Sequence, residues 1–264
     1  MHKRVSITAV IFAMLLLMTT AATAKEITAY YEAPYQSVKS INSNLKKAGF
    51  KVLKIYAPAK KRYLRVIVFT NNQLISLASK KRRGFAAILK LVINKKTKHI
   101  RVMNPTYWLE AFLQKEYVPG SDTGIKTSLK KALGSLKPTS DTLSENRLAS
   151  YHFMIGMPYY TDMLSFPYKN KIRKRDVLFT LKLKNGSKLV GIKMPKSVEE
   201  FIETTGEENA LILPYTILIE DGKAYALHGK YYIALSYPNL NMGKFIKMRS
   251  TPDKIEMTVK RILR

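Results

Sequence analysis

Residues 85–114, FAAILKLVINKKTKHIRVMNPTYWLEAFLQ, decide the fold of the first half of the chain. Ala87 to Ile93 is rich in Leu, Val and Ile, which is typical of a well-buried strand. Asn94 to Thr97 is a polar turn of hairpin length, and Ile100 to Met103 continues as a second strand. The stretch therefore predicts a β-hairpin, with its second strand running into a helix.

The helix after this hairpin begins with a strong start signal. Asn104 is a good N-cap, and Pro105 occupies the first helical position, where a missing N–H costs nothing. Tyr107, Trp108 and Phe112 then fall on one side of the helix. Large aromatic side chains at helical spacing are usually core residues, so we expect these three to hold the helix across a sheet. A ligand-stacking role for the same three residues is the alternative.

The N-terminal residues 1–24 have the pattern of a cleavable signal peptide. His2-Lys3-Arg4 is followed by an apolar run from Val10 to Met18 and by Ala22-Thr23-Ala24, an A-x-A cleavage site. The apolar run is short for a transmembrane helix, and no later stretch approaches the ~20 apolar residues needed. The sequence thus predicts cleavage after Ala24 and a soluble product that is periplasmic or secreted. An uncleaved N-terminal anchor is the competing interpretation.

The chain contains no cysteine. Disulfides, thiol redox chemistry, thiolate metal sites and a lipidated cysteine are therefore excluded. Stability must come from burial of an ordinary apolar core, and the 240 residues after the signal are enough for two domains.

The expected mature chain is strongly basic, with 44 Lys and Arg against 18 Asp and Glu. Such a charge favours an anionic partner, either nucleic acid or an anionic surface such as lipid headgroups or cell-wall polymers. The basic residues are scattered, however, and their runs lie in predicted turns: Lys60 to Arg62, Lys80 to Arg83 and Arg173 to Arg175. Export and this scatter disfavour nucleic acid, and they leave an anionic envelope surface open.

The first domain, residues 25–138, follows the order strand, helix, four strands, helix. A strand ends at Pro34, and Ser37 caps a helix that Gly49 stops. Two further strands lie at Lys51 to Tyr56 and Tyr63 to Phe69, before the hairpin of the opening stretch.

These segments resemble the family called "domain of unknown function 302". The resemblance rests on residues 37–50 (SVKSINSNLKKAGF), on the strand before Asn71-Asn72, and on the hairpin that ends in Val102-Met103-Asn104-Pro105. It implies a β-α-β4-α fold of the TATA-box-binding-protein-like class, a geometric name that does not imply DNA binding. The chain departs from the family at Phe85-Ala86-Ala87, where a Leu-Pro is usual. The family carries no established catalytic residues.

The second half repeats parts of the first after a predicted linker at residues 139–150. Within residues 151–264, the strand and turn from Leu213-Pro214 to Lys223 look like the same family and supply its Leu-Pro. No equivalent of the Ser37 helix is visible between Ser165 and Arg175. We therefore predict an α+β protein of two related domains, each a mostly antiparallel sheet with helices on one face, as a tandem duplication would produce.

Sequence motifs for catalysis are missing. There is no H-E-x-x-H, G-x-S-x-G, phosphate loop or dinucleotide glycine pattern. The three histidines after the signal, His99, His152 and His228, are isolated in sequence. A hydrolase with carboxylates that converge only on folding stays open, although no spacing nominates a pair.

One segment, residues 151–160 (YHFMIGMPYY), has an unusual composition. If it is a strand, His152 and Met154 share a face, with Met157 close behind. Imidazole and thioether ligands suit copper(I) or the axial positions of haem. The alternative is a strand between the domains in which methionine and aromatic side chains fill an irregular core.

Taken together, the sequence favours a non-enzymatic exported protein that binds a small ligand or an envelope component. The groove between sheet and helix, or between the two domains, is the expected place for its site. A periplasmic copper or haem handling protein that uses His152, Met154 and Met157 is the alternative.

Overall fold

The fold is α+β, as predicted, with antiparallel sheets packed against helices. The computed structural model describes residues 25–168 and 172–263. The predicted signal peptide, residues 1–24, lies outside the described residues. None of the helices in the described ranges combines the length and apolar content that a membrane span requires.

The first half builds a six-stranded antiparallel sheet. Its strands and those beside it are β1 (Glu26–Thr28), β2 (Tyr30–Ala33), β3 (Lys51–Tyr56), β4 (Leu64–Thr70), β5 (Leu89–Asn94), β6 (His99–Met103), β7 (Lys137–Pro138) and β8 (Thr142–Ser144). Its helices are α1 (Val38–Lys47), α2 (Asn72–Ala78), α3 (Pro105–Leu113), α4 (Thr123–Leu133) and α5 (Glu145–Leu148). The strand order is β3-β4-β5-β6-β2-β7, and β1 pairs separately with β8.

The local signals of the sequence are confirmed where they were strongest. The predicted hairpin is β5 and β6, paired with Leu91 opposite Val102. The side chain of Asn104 accepts a hydrogen bond from the N–H of Thr106 at 3.1 Å, so it caps α3 as expected. Ser37 caps α1 in the same way.

The second half repeats the topology of the first. Its strands are β9 (Leu164–Pro167), β10 (Val177–Lys182), β11 (Lys188–Ile192), β12 (Tyr215–Glu220) and β13 (Lys223–Ala226), and its helices are α6 (Lys196–Glu199), α7 (Phe201–Thr205), α8 (Gly229–Ser236), α9 (Met242–Lys247) and α10 (Thr251–Leu263). The order β10-β11-β12-β13-β9 matches β3-β4-β5-β6-β2 strand for strand.

The two halves differ where the sequence predicted a difference. Between β9 and β10 the described residues contain one 3-10 turn, Lys174–Asp176, and no counterpart of α1. The matching strand order is what a tandem duplication predicts. The boundaries at 25–138, 139–150 and 151–264 stay predictions, although part of the proposed linker forms β8.

Each half packs a 3-10 segment against the sheet of the other half. The Gly84 segment (Gly84–Ala87) leads into β5 but lies against β11 and β12. The Glu207 segment (Glu207–Ile212) leads into β12 but lies against β4, β5 and β6. A methyl group on Gly84 would lie 2.3 Å from the side chain of Leu218, so this close approach requires glycine.

Lys90, the second residue of β5, is buried at this interface. Its ammonium lies 3.2 Å from the carbonyl of Ile212, 2.9 Å from that of Pro214, and 3.2 Å from the hydroxyl of Tyr232. Burial lowers its pKa from the usual 10.5 to about 7. The set of partners suits either protonation state, because a neutral amine donates to both carbonyls and accepts from the hydroxyl.

This buried lysine makes stability depend on pH. Between pH 7 and 10.5 the unfolded chain binds a proton at Lys90 that the folded chain does not, so the free energy of unfolding rises with pH. We expect the slope from this group to approach about 1.4 kcal/mol per pH unit. Urea unfolding of wild type and Lys90→Met across this range measures it.

The control is Lys130→Met, which removes an exposed lysine of α4. It should retain the wild-type slope, whereas Lys90→Met should lose it. Equal slopes in all three proteins would mean that Lys90 is charged in the folded state at pH 9.

Candidate functional site

The predicted aromatic residues of α3 lie in the core. Tyr107, Trp108 and Phe112 are at most 3% exposed. The indole N–H of Trp108 donates to the carbonyl of Ala29 at 2.9 Å, and its ring lies 6.0 Å from that of Tyr232 in the second half. These contacts give each side chain a packing role, and the ligand-stacking role stays a prediction.

Tyr107 also belongs to a group of three phenols that fix helix α8. The last carbonyls of a helix have no partner within it and need donors from outside. The hydroxyls of Tyr30, Tyr107 and Tyr151 donate to the carbonyls of Ser236, Leu235 and Ala234, at 2.9, 2.7 and 3.3 Å respectively. Residues outside the second sheet thus anchor the helix that lies beside it.

The proposed metal segment is a turn and not a strand. The N–H of Met157 donates to the carbonyl of Met154 at 3.0 Å, so the alternation expected of a strand does not apply. The ring of His152 lies 4.4 Å from that of Tyr159, and Met154 is 43% exposed. The described residues contain no group of three or more His, Cys, Asp or Glu that could hold a metal. A copper or haem site at His152, Met154 and Met157 stays a prediction.

The outer side of α3 borders a pocket that the sequence analysis missed. We call it the Glu110 pocket; its volume is about 500 Å³, and its lining includes Lys25, Glu110, Lys115, Tyr117, Pro119 and Glu145. Glu110 is the only charged residue of α3. That isolation, in a helix otherwise rich in apolar residues, was the signal in the sequence that could have nominated it.

The carboxyl group of Glu110 has an unusual environment and a raised pKa. Its Oε2 atom is buried and has no hydrogen-bond partner among the described residues. Burial, and next the negative charge of Glu145, raise the pKa of Glu110 to about 7, while Lys25 acts in the opposite direction. Near neutral pH this carboxyl group is therefore divided between its acid and its ionised form.

Glu145 lines the same pocket and pairs with Lys25. The ammonium of Lys25 lies 2.9 Å from its Oε2 atom, and the N–H of Glu145 donates to the carbonyl of Lys25 at 2.8 Å. Residue 25 is thus fixed by both its backbone and its side chain. The pairing engages the charge of Lys25 and leaves Glu110 without a cation of its own.

A second buried carboxylate, Asp122, supports the pocket from behind. Burial alone would raise the pKa of Asp122, but hydrogen bonds from Thr106 and Lys126 outweigh it, so the pKa is lowered. The hydroxyl of Tyr117 donates to Asp122 at 3.1 Å, which positions the phenol ring in the pocket wall. Burial, followed by the charge of Asp122, raises the pKa of Tyr117, so the phenol stays neutral.

The site therefore offers a carboxyl group that can release or accept a proton near pH 7, beside a lysine–glutamate ion pair and a phenol. Such an arrangement can bind an amine or transfer a proton. Comparison of the chain with protein-family models, with curated proteins and with solved structures gives no match. The resemblance to the family of domain of unknown function 302 consequently stays a prediction.

Tyr107→Phe tests the core role of the aromatic cluster. The change leaves the carbonyl of Leu235 without its donor, and we expect a loss of about 1–2 kcal/mol in the free energy of unfolding. Tyr35→Phe, at a tyrosine 37% exposed, should cost little. Equal stability of the two variants in urea unfolding would contradict the capping role.

Glu145→Gln tests the electrostatics of the pocket. It removes a like charge beside Glu110 and frees Lys25 to attract it, so the pKa of Glu110 should fall. Carbon NMR of the side-chain carboxyl groups measures this titration directly. A pKa near 4.5 in the wild type would mean that the pocket is open to water.

The same shift predicts a pH dependence of stability. Because the folded pKa is raised, Glu110 favours the folded state below pH 4.5, and this contribution is lost as the pH rises through 7. Glu110→Gln should remove that component of the pH profile in thermal unfolding.

Proposed function

We propose that this is an exported binding protein that takes up a small amine-bearing molecule in the Glu110 pocket. Export is inferred from the pattern of residues 1–24. The observation that carries the ligand proposal is the buried Oε2 atom of Glu110, which has no partner among the described residues. An ammonium group placed there would supply the missing hydrogen bond and the missing charge.

The chemistry of the wall supports this ligand class. A carboxyl group with a pKa of about 7 is poorly compensated in the free protein, and a bound cation would bring it fully into the ionised state. Tyr117, Pro119 and Ala149 give the pocket an apolar side for a carbon chain. Its volume of about 500 Å³ is within the range typical of small-molecule sites.

Lys115 narrows the class of expected ligand further. It is an exposed residue that lines the pocket and forms no ion pair within the described ranges. A ligand that carries both an ammonium and a carboxylate would meet Glu110 with one and Lys115 with the other. Zwitterions are therefore favoured over simple alkylamines.

A second candidate function is acid–base hydrolysis, the reaction class that the sequence left open. It is favoured by the different environments of Glu110, whose pKa is raised, and Glu145, which pairs with Lys25. Pairs of carboxyl groups whose environments separate their pKa values act as acid and base in several enzymes. Loss of a hydrolytic activity in both Glu110→Gln and Glu145→Gln would identify this chemistry.

Calorimetric titration with putrescine, β-alanine and butanediol tests the binding proposal. We expect the two amines to bind and butanediol, the neutral counterpart of putrescine, not to bind. Glu110→Gln should weaken amine binding about tenfold or more, because hydrogen bonds to charged groups contribute about 1.5–3 kcal/mol. Affinity should also rise as the pH increases through 7, where Glu110 loses its proton.

Glu116→Gln is the matched control. It removes the same charge six residues away, at a side chain that pairs with Lys80 at the surface. Equal binding of butanediol and putrescine, or equal losses in the Glu110 and Glu116 variants, would contradict the proposal.

A further inference from the structure

A cationic pocket lies where the Gly84 segment meets the start of the second half. We call it the Arg83 pocket; it has a volume of about 270 Å³ and is lined by Lys81, Arg82, Arg83, Tyr160, Thr161 and Met163. Half of these residues are cations and none is acidic. The lining therefore selects for an anion, and the pocket is large enough for a phosphate group.

The two arginines of the pocket are held in place by aromatic rings. The guanidinium of Arg83 lies 5.1 Å from the ring centre of Tyr160, and that of Arg82 lies 5.4 Å from that of Tyr225. The hydroxyl of Tyr160 donates to the carbonyl of Arg82 at 2.6 Å. Such fixed guanidinium groups suit the tetrahedral oxygens of a phosphate better than mobile lysines do.

The positive charge of the pocket is not neutralised within the protein. The described residues provide no ion pair to Lys81, Arg82 or Arg83. The Nε atom of Arg83 is buried and has no hydrogen-bond partner among them.

Two acids lie near the pocket, and neither forms an ion pair with its cations. Glu220 accepts from the N–H of Arg82 and from the side-chain amide of Asn185. Asp162 accepts from the N–H of Tyr159 at 2.9 Å. The three cationic side chains of the pocket are therefore left without an ion-pair partner among the described residues, and an external anion can provide one.

An apolar loop tip stands beside this pocket. Tyr160, Thr161 and Met163 continue directly from a turn in which Met154 is 43%, Ile155 97% and Tyr159 44% exposed. Met154, Ile155 and Tyr159, all exposed, thus fall within six positions. The clustering separates this turn from the scattered apolar side chains that any surface carries.

We propose that the Arg83 pocket and the 154–159 loop tip together dock on an anionic phospholipid surface. The pocket binds the headgroup phosphate, and Met154, Ile155 and Tyr159 enter the boundary between headgroups and acyl chains. Arginine against lipid phosphate, with apolar and aromatic side chains at the level of the headgroups, is the arrangement that such boundaries favour. The net positive charge of the chain attracts the same surface at longer range.

Co-sedimentation with vesicles tests the docking. We expect the protein to bind vesicles of phosphatidylcholine mixed with phosphatidylglycerol and not vesicles of phosphatidylcholine alone. Arg82→Gln/Arg83→Gln and, separately, Ile155→Ser should each weaken binding about tenfold or more. Lys81→Gln, at an exposed lysine, is the second variant if the double change impairs folding.

Two controls separate this site from general attraction of a basic protein. Lys130→Gln/Lys131→Gln removes the same charge from the exposed side of α4, and Met257→Ser removes an apolar side chain that is 63% exposed. Both should bind the mixed vesicles nearly as the wild type does. Equal weakening in the two charge variants would leave only net charge and would overturn the proposal.

Titration with inorganic phosphate identifies the source of the anion. Weak phosphate binding that Arg82→Gln/Arg83→Gln abolishes is expected alongside vesicle binding. Phosphate binding with no vesicle binding would make the pocket a site for a dissolved anion and would overturn the docking proposal. These outcomes are independent of the amine titration, because the Arg83 and Glu110 pockets share no lining residue.

Discussion

The reciprocal packing of the two 3-10 segments, each against the sheet of the other half, is the constraint on which the rest of the structure depends. The Gly84 segment lies on the second sheet and the Glu207 segment lies on the first. The last residue of β5 holds the Glu207 segment, since the amide of Asn94 donates to Glu207. The last residue of β12 holds the chain just before the Gly84 segment, since Glu220 accepts from the N–H of Arg82. Because each sheet buries a segment of the other half, the apolar face of neither half is complete alone.

Both surface pockets follow from this packing. The aromatic side of α3 is committed to the junction, where Tyr107 reaches the end of α8, so the helix turns Glu110 outward to the chain's first described residues. The Gly84 segment packs closely on Leu218, and the guanidinium of the preceding residue, Arg83, lies over the ring of Tyr160. The Glu110 and Arg83 pockets are therefore consequences of how the halves meet: the first collects charges that are far apart in sequence, and the second places three consecutive cations beside Tyr160.

The sequence predicted the elements whose cause is local. The β5–β6 hairpin and the Asn104 cap depend on residues only a few positions apart. Each strand pattern of the second half is local in the same way, so the repeat could be read from the sequence. It could not predict the environment of Lys90, whose partners lie 122 and 124 residues away. Glu110 was missed for the same reason, since its pKa is raised by burial and next by the charge of Glu145, and both arise only on folding. Residues 151–160 do not form the strand on which the shared face of His152 and Met154 depended, because Gly156 adopts a φ of +79° and turns the chain.

The two halves carry different side chains at one matching position of their strands, and the interface accounts for the difference. Lys90 is the second residue of β5, and Thr216 is the second residue of the matching strand β12, so one position of the repeat carries an amine in one half and a hydroxyl in the other. The amine is tolerated because the carbonyls of Ile212 and Pro214, on either side of Leu213, accept hydrogen bonds from it. Lys90 and the carbonyls of Ile212 and Pro214 therefore form one asymmetric contact of the interface, to which the two halves contribute different groups.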